Sequence, residues 1–226
     1  VKKKTPRYYI RRIQEYFFFR NKRLLFDLNL DSATAYSEDD YKKRDRAPYY
    51  EYAKCLEDVF PKFSEIMDIG CANSYLLEYF HNKDVKVAGI EGVDCAFKYM
   101  PACIKNDVMK ASLSAPLTSN GRTYDIVNCT EIGEHIPYKY EEIFLENTVK
   151  FVRKFLILSW ANTWEGWHGM DEQSHVNPRP KRYVIKKLKG FGLEYNGHLT
   201  NSFKSKLNNR NVFDYWIDRV MVFTKK

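Results

Sequence analysis

The sequence predicts an α/β domain: a mostly parallel β-sheet with one antiparallel edge strand, helices on both faces, and an N-terminal helical extension. Three observations carry that prediction. From Glu65 onward, short apolar runs alternate with segments of helical period. The first run ends in a turn of small residues, Asp68-Ile-Gly70-Cys-Ala72-Asn-Ser74, after which Leu76, Leu77 and Phe80 recur at helical spacing. The second run, Val85-Lys-Val-Ala-Gly-Ile-Glu91, closes on an acid about 20 residues further along, as ribose-binding βαβ units do.

Residues 1–60 read as a helical extension and linker, and residues 61–226 as the α/β domain. In residues 1–27, Lys2, Lys3, Lys4, Arg7, Arg11, Arg12, Arg20, Lys22 and Arg23 interleave with aromatic and aliphatic residues. Tyr9, Ile13, Tyr16, Phe17, Arg20 and Leu24 share one helical face, which predicts an amphipathic helix. It reads first as a helix packed on the domain with a solvated basic face; a membrane-surface or nucleic-acid arm is the alternative. Residues 31–40 are polar and read as a linker, and residues 41–60 as a helix interrupted near Pro48 and ended by Pro61. Strands are expected at 65–69, 85–90, 102–105, 124–129, 154–160, about 193–199 and 218–224, and helices at 74–82, 93–99, 139–152 and 180–189. The polar stretch 201–211 separates the last two strands, which can close the sheet as an antiparallel pair.

Hydrophobic and aromatic contents of 44% and 16% argue for a folded chain, and a net charge of +8 suggests acidic partners without identifying them. Five scattered cysteines without a CxxC pair suggest reduced thiols, hence a cytoplasmic protein. No apolar run is long enough to span a membrane. A chain opening on Val1 reads as a piece of a longer polypeptide.

The stretch from Glu65 to Phe80 resembles the first motif of class I S-adenosylmethionine (SAM) dependent methyltransferases, usually Asp/Glu-x-Gly-x-Gly-x-Gly. Asp68 and Gly70 are kept, while Ala72 and Ser74 replace the later glycines. The resemblance implies a Rossmann-like fold that binds SAM through Asp68, Gly70, Ala72, Glu91, Asp107, Val108 and Glu131. Glu91 would accept from the ribose hydroxyls, Asp107 from the adenine amino group, and the N–H beside it would meet the ring. Acids in the cleft suit a cationic sulfonium and amino group better than a pyrophosphate.

After the fourth expected strand, Glu131-Ile-Gly-Glu134-His135 gathers two carboxylates and an imidazole within one turn. Glu-x-x-Glu-His recurs among methyltransferases of this class. In some branches it binds a divalent ion, and in others the histidine serves as base or lines the pocket. Either Glu131, Glu134, His135 and His175 hold Mn²⁺ or Mg²⁺, or His135 acts as a metal-free base, with Glu134 and His175 beside it in catalysis. The loop 160–183 carries Trp160, Trp164, Trp167, His168, His175 and Asn177. Aromatic faces with polar edges suit a sugar ring, so Trp164, Trp167, His168 and Asn177 are expected to bind the acceptor. His81 and His198, beyond a helix and in a late strand, read as structural.

The pattern Ser159-Trp-Ala with His175-Val-Asn177-Pro-Arg-Pro-Lys-Arg-Tyr183 resembles methyltransferase-like domains found beside glycan-building genes. More narrowly, it is similar to the methyltransferase domain of multidomain glycan-synthesis proteins of chloroviruses, whose other domains are glycosyltransferases. The likeness covers residues 60–226 and implies O-methylation of a sugar hydroxyl of a glycan, with a deoxyhexose such as rhamnose as acceptor, and upstream glycosyltransferase domains as partners. RNA 2′-O-methylation and a non-catalytic SAM-binding scaffold are the alternatives.

Overall fold

The computed structural model describes residues 36–162 and 175–226. Two helices, α1 (Glu38–Lys42) and α2 (Ala47–Val59), precede β1 (Glu65–Ile69) and α3 (Tyr75–His81). Then come β2 (Lys86–Glu91), α4 (Ala96–Tyr99), β3 (Val108–Lys110), β4 (Tyr124–Cys129), α5 (Glu141–Val149) and β5 (Val152–Leu158). The chain closes with α6 (Lys181–Gly190), β6 (Leu193–Tyr195), α7 (Gly197–Asn208), α8 (Asp214–Arg219) and β7 (Met221–Lys225). The basic helix expected in residues 1–27 lies outside the described residues.

The strands form one sheet in the order β3-β2-β1-β4-β5-β7-β6. All neighbours are parallel except β7, which runs antiparallel to both β5 and β6. The antiparallel element therefore lies at the expected end of the sheet, one strand in from the edge. The order reverses between β1 and β4, the switch point at which open α/β sheets leave a crevice beyond their carboxyl ends.

Alternation along the strands divides the interior into two layers. Ile66, Ile126, Ile157 and Val222 face a core completed by α2, α3, α7 and α8, with Tyr52, Leu56, Leu77, Phe203, Leu207 and Trp216. Met67, Ile69, Val127, Leu156, Leu158 and Phe223 face the other, with Phe144, Leu145, Val184, Leu188 and Trp160. Thus α2, placed at sequence level in an extension, packs into the same core as the sheet.

Two expectations are corrected here. The third strand begins at Val108, because 105–107 close a 3-10 turn and only 108–110 pair with β2. The polar stretch 201–211 is largely helical: α7 buries Thr200, Phe203 and Leu207 on one face and turns its amides and lysines outward. His198 is accordingly exposed near the start of α7 instead of in a strand, and His81 is exposed at the end of α3.

Candidate functional site

The turn after β1 keeps a glycine-like conformation without the glycines. Gly70, Ala72 and Ser74 all have positive φ, +74°, +48° and +59°. For Ala and Ser this left-handed region costs about 1–2 kcal/mol each, so the turn is held by its surroundings. Holding it, the Ala72 N–H donates to Glu91 Oε2 at 2.7 Å, while Val93 N–H donates to Glu91 Oε1 at 2.8 Å. Burial pushes the Glu91 carboxyl up, against the backbone N–H groups of Val93, Ala72 and Gly92 and the charge of Arg44. Each Glu91 oxygen retains a lone pair for a ribose hydroxyl, so the residue fits a nucleoside.

Asp68 lies one strand away. Asn128, its cross-strand partner on β4, donates through Nδ2 to Asp68 Oδ1 at 2.8 Å and accepts at Oδ1 from Tyr52 Oη, also at 2.8 Å. Burial pushes the Asp68 carboxyl up to about 7, the Asn128 hydrogen bond opposing and the Glu91 charge adding to the rise. A cation above this pair would favour its ionised form. The chemistry of the two acids thus fits a cationic sulfonium nucleoside.

Asp107 does not join this row. It is exposed and precedes β3, whereas the β3 residue level with Glu91 is Lys110. Val108 pairs with Gly89, where a Cβ would meet Cys71 and Leu77 at 2.9 Å and Val108 at 3.0 Å.

The turn after β4 is a 3-10 helix, Gly133–His135. Trp160 packs so closely on Gly133 that a Cβ there would lie 2.5 Å from the indole ring. On this platform Glu134 is fully buried, and neither of its carboxylate oxygens has a hydrogen-bond partner among the described residues. Burial first, then the charge of Glu131, pushes the Glu134 carboxyl well up. One ligand atom from each of Glu134, His135 and His175 lies within 4.8 Å of the other two, and the imidazole centroids are 4.9 Å apart. An unpartnered buried carboxylate beside two imidazoles fits a divalent cation, whose charge would offset the cost of ionising Glu134.

Glu131 neighbours Glu134 but is not one of the three converging residues. Its Oε1 accepts from Ser159 Oγ at 2.7 Å, its N–H donates to the same oxygen at 2.8 Å, and Oε2 pairs with Arg219. The expected four-residue ligand set thus comes together as three, because Arg219 from the end of α8 takes the fourth. Asn177 is buried and its amide is spent on Glu141, so it braces the loop where an acceptor-facing role was expected. Trp164, Trp167 and His168 lie outside the described residues.

Sequence reasoning missed Tyr36 and Arg44. Tyr36 Oη and His135 Nε2 share a hydrogen bond of 2.9 Å, and the Arg44 guanidinium lies 5.9 Å from the Tyr36 ring and 5.2 Å from that of Tyr41. Burial, and after it the charge of Glu134, raises the Tyr36 phenol, which also feels Glu131 and Glu91. Tyr36 is therefore bound to the histidine cluster and feels the charge of Glu91 as well. A linker reading of residues 31–40 gave no signal for it. Asn128 did carry one, as an amide near the end of an apolar strand.

No family model matches the chain. A solved structure of magnesium protoporphyrin IX methyltransferase (ChlM) from Synechocystis PCC 6803 with bound SAM is similar, with TM-score 0.54 at 15% identity, covering 77% of this chain and 76% of that one. The fold is that of class I methyltransferases. At the sequence level, 89 residues are 29% identical to the ubiquinone biosynthesis O-methyltransferase of Nitrosomonas europaea, covering 36% of this chain and 38% of that protein. The same-named protein of Nitrosospira multiformis is 26% identical over 136 residues, 58% of this chain and 49% of the relative. The chain spans about half the length of these methyltransferase relatives or less.

Proposed function

We propose that the chain is a SAM-dependent O-methyltransferase whose acceptor is a sugar hydroxyl of a glycan. The observation that carries this reading is the convergence of Glu134, His135 and His175 beside the acids Glu91 and Asp68, at the carboxyl edge of a methyltransferase sheet. Both curated relatives are named as O-methyltransferases, which favours oxygen as the acceptor atom. The sugar comes from the likeness of the 159–183 pattern to glycan-synthesis domains, and glycosyltransferase partners in a longer chain belong to the same proposal.

An alcohol has a pKa far above 7, so its proton must leave as the new C–O bond forms. SAM, when bound, supplies a methyl group activated by the sulfonium, and Mn²⁺ or Mg²⁺ held by Glu134, His135 and His175 would lower the pKa of the acceptor hydroxyl. Glu91 holds the ribose, and the left-handed turn at Gly70 to Ser74 lets the backbone approach the ligand. Without the metal, His135 or His175 receives the hydroxyl proton on a ring nitrogen; with it, both imidazoles would be spent as ligands and the acidified hydroxyl would lose its proton to water. Arg219 neutralises Glu131, which leaves Glu134 as the acid of the histidine cluster. Most of the rate gain then comes from positioning the acceptor oxygen in line with the methyl group.

The test is mass spectrometry of candidate glycans incubated with SAM, before and after exhaustive chelation and Mn²⁺ or Mg²⁺ add-back. A gain of one methyl per acceptor, lost in chelator and restored by metal, is expected. Full turnover in the chelator would remove the metal and leave His135 as base. No methylation of any glycan would remove the acceptor assignment.

A further inference from the structure

His175 stands on a segment without regular secondary structure, so its place beside His135 needs an explanation. Residues 175–180 are stitched to the site at several points. Asn177 N–H donates to the Glu134 carbonyl at 2.7 Å, Trp160 Nε1 donates to the Asn177 carbonyl at 2.7 Å, and Arg179 N–H donates to the Ala161 carbonyl at 2.9 Å. Side chains of this segment and of the first turn of α6 converge on one buried acid, Glu141, the first residue of α5. Asn177 Nδ2 donates to Glu141 Oε2 at 3.0 Å, Arg179 Nε to the same oxygen at 2.8 Å, and Tyr183 Oη to Oε1. The Arg179 guanidinium is also 4.8 Å from the Tyr138 ring and 4.6 Å from that of Tyr183.

We propose that Glu141 is the positioning residue of the histidine cluster, holding His175 against His135 through Asn177 and Arg179. The inference rests on the reading that His175 belongs to the functional site. Chemically the assignment follows from Glu141 itself. A buried carboxylate has several acceptor positions, and here they are taken by donors from the returning loop, where solvent would otherwise compete. The bonds of the Asn177 N–H and carbonyl, to Glu134 and Trp160, fix the path of the segment at Asn177. The Glu141 bonds fix its side chains, and with them the direction in which the chain two residues earlier presents His175. Supports of this kind change metal affinity by roughly 10–100-fold when removed.

Two readouts test this, one of them independent of metal and acceptor. In metal-free protein at fixed pH, ring protons of His135 and His175 are expected to show a nuclear Overhauser contact, which Glu141→Ala and Asn177→Ala abolish while near-ultraviolet dichroism stays native. Asn177→Ala carries the test if Glu141→Ala does not fold. In a Mn²⁺ titration, Asn177→Ala is expected to weaken binding roughly 10–100-fold, and to add nothing in a His175→Ala background. A contact missing in the wild type, a contact kept in a folded variant, or additive losses in the double variant would each overturn the proposal. If the wild type takes up no Mn²⁺, the metal reading fails, and the ring contact alone decides on Glu141.

Discussion

Asp68 shows how a single burial changes what an acid does. In the free protein its carboxyl is raised to about 7, mainly by burial. A raised acid binds its proton more tightly in the folded state, so its contribution to stability is full below the unfolded value of about 4 and is lost as pH rises through about 7. A cationic ligand reverses the preference by favouring the ionised form. SAM affinity should therefore strengthen between about pH 6 and 8, and Asp68→Asn should flatten that dependence in calorimetry; an unchanged slope would separate Asp68 from the cofactor. Gly133 is a second residue whose constraint is local. A Cβ 2.5 Å from the Trp160 ring must displace the ring or the turn. Gly133→Ala should cost about 1–3 kcal/mol in urea unfolding and alter Trp160 fluorescence, because overpacking a filled site forces neighbours out of place.

At the scale of elements, α1 and the start of α2 form a strap from the turn after β1 to α4, with Arg44 near enough to Glu91 to act on it by its charge. Ser37 N–H and Oγ both donate to the Asp40 carboxylate, at 2.7 and 2.8 Å, and Glu38 reaches Lys98 and Tyr99 at 3.0 and 2.8 Å. Asn73 of the turn after β1 donates to the Tyr41 carbonyl at 2.8 Å, and Arg44 donates to Tyr49 Oη at 2.8 Å. Several of these bonds are exposed, which places the strap at the low end of local stability. The demethylated product of SAM should therefore slow hydrogen exchange across residues 38–46 more than across β5, since a ligand beneath the strap stabilises its closed form. Equal protection of both segments would separate the strap from the cofactor. The α7 helix shows a different lesson about elements. Its apolar positions are few, and their periodicity is visible only once Leu199, Phe203 and Leu207 are set on one face.

Across the whole molecule, the contact between Glu131 and Arg219 joins the turn after β4 to the helix before β7. Both side chains are mostly buried, at 17% and 10% exposure, so the pair resists screening by water. Removing one partner strands the other's charge. Arg219→Ala should cost up to about 3–5 kcal/mol, and Glu131→Gln in the same chain should recover part of it, as measured by urea unfolding. Failure of the second change to recover stability would show that Arg219 acts by packing alone.

The βαβ start, the acid at Glu91, the Glu131-Ile-Gly-Glu134-His135 turn and the parallel order were legible because each depends on spacing within a short stretch. Period-2 and period-3.6 patterns identify faces, and a strand followed by a turn of small residues needs few distant contacts to be recognised. The tertiary structure alone decided how those pieces share their charges. Arg219 lies 88 positions from Glu131 and Tyr36 lies 99 from His135, and nothing local marks either partner. The start of β3 likewise follows from its register against Gly89, which moved Asp107 out of the row of acids. Short-range sequence order fixes conformational preference, whereas the pairing of buried polar groups is set by which donors and acceptors the folded chain brings within reach.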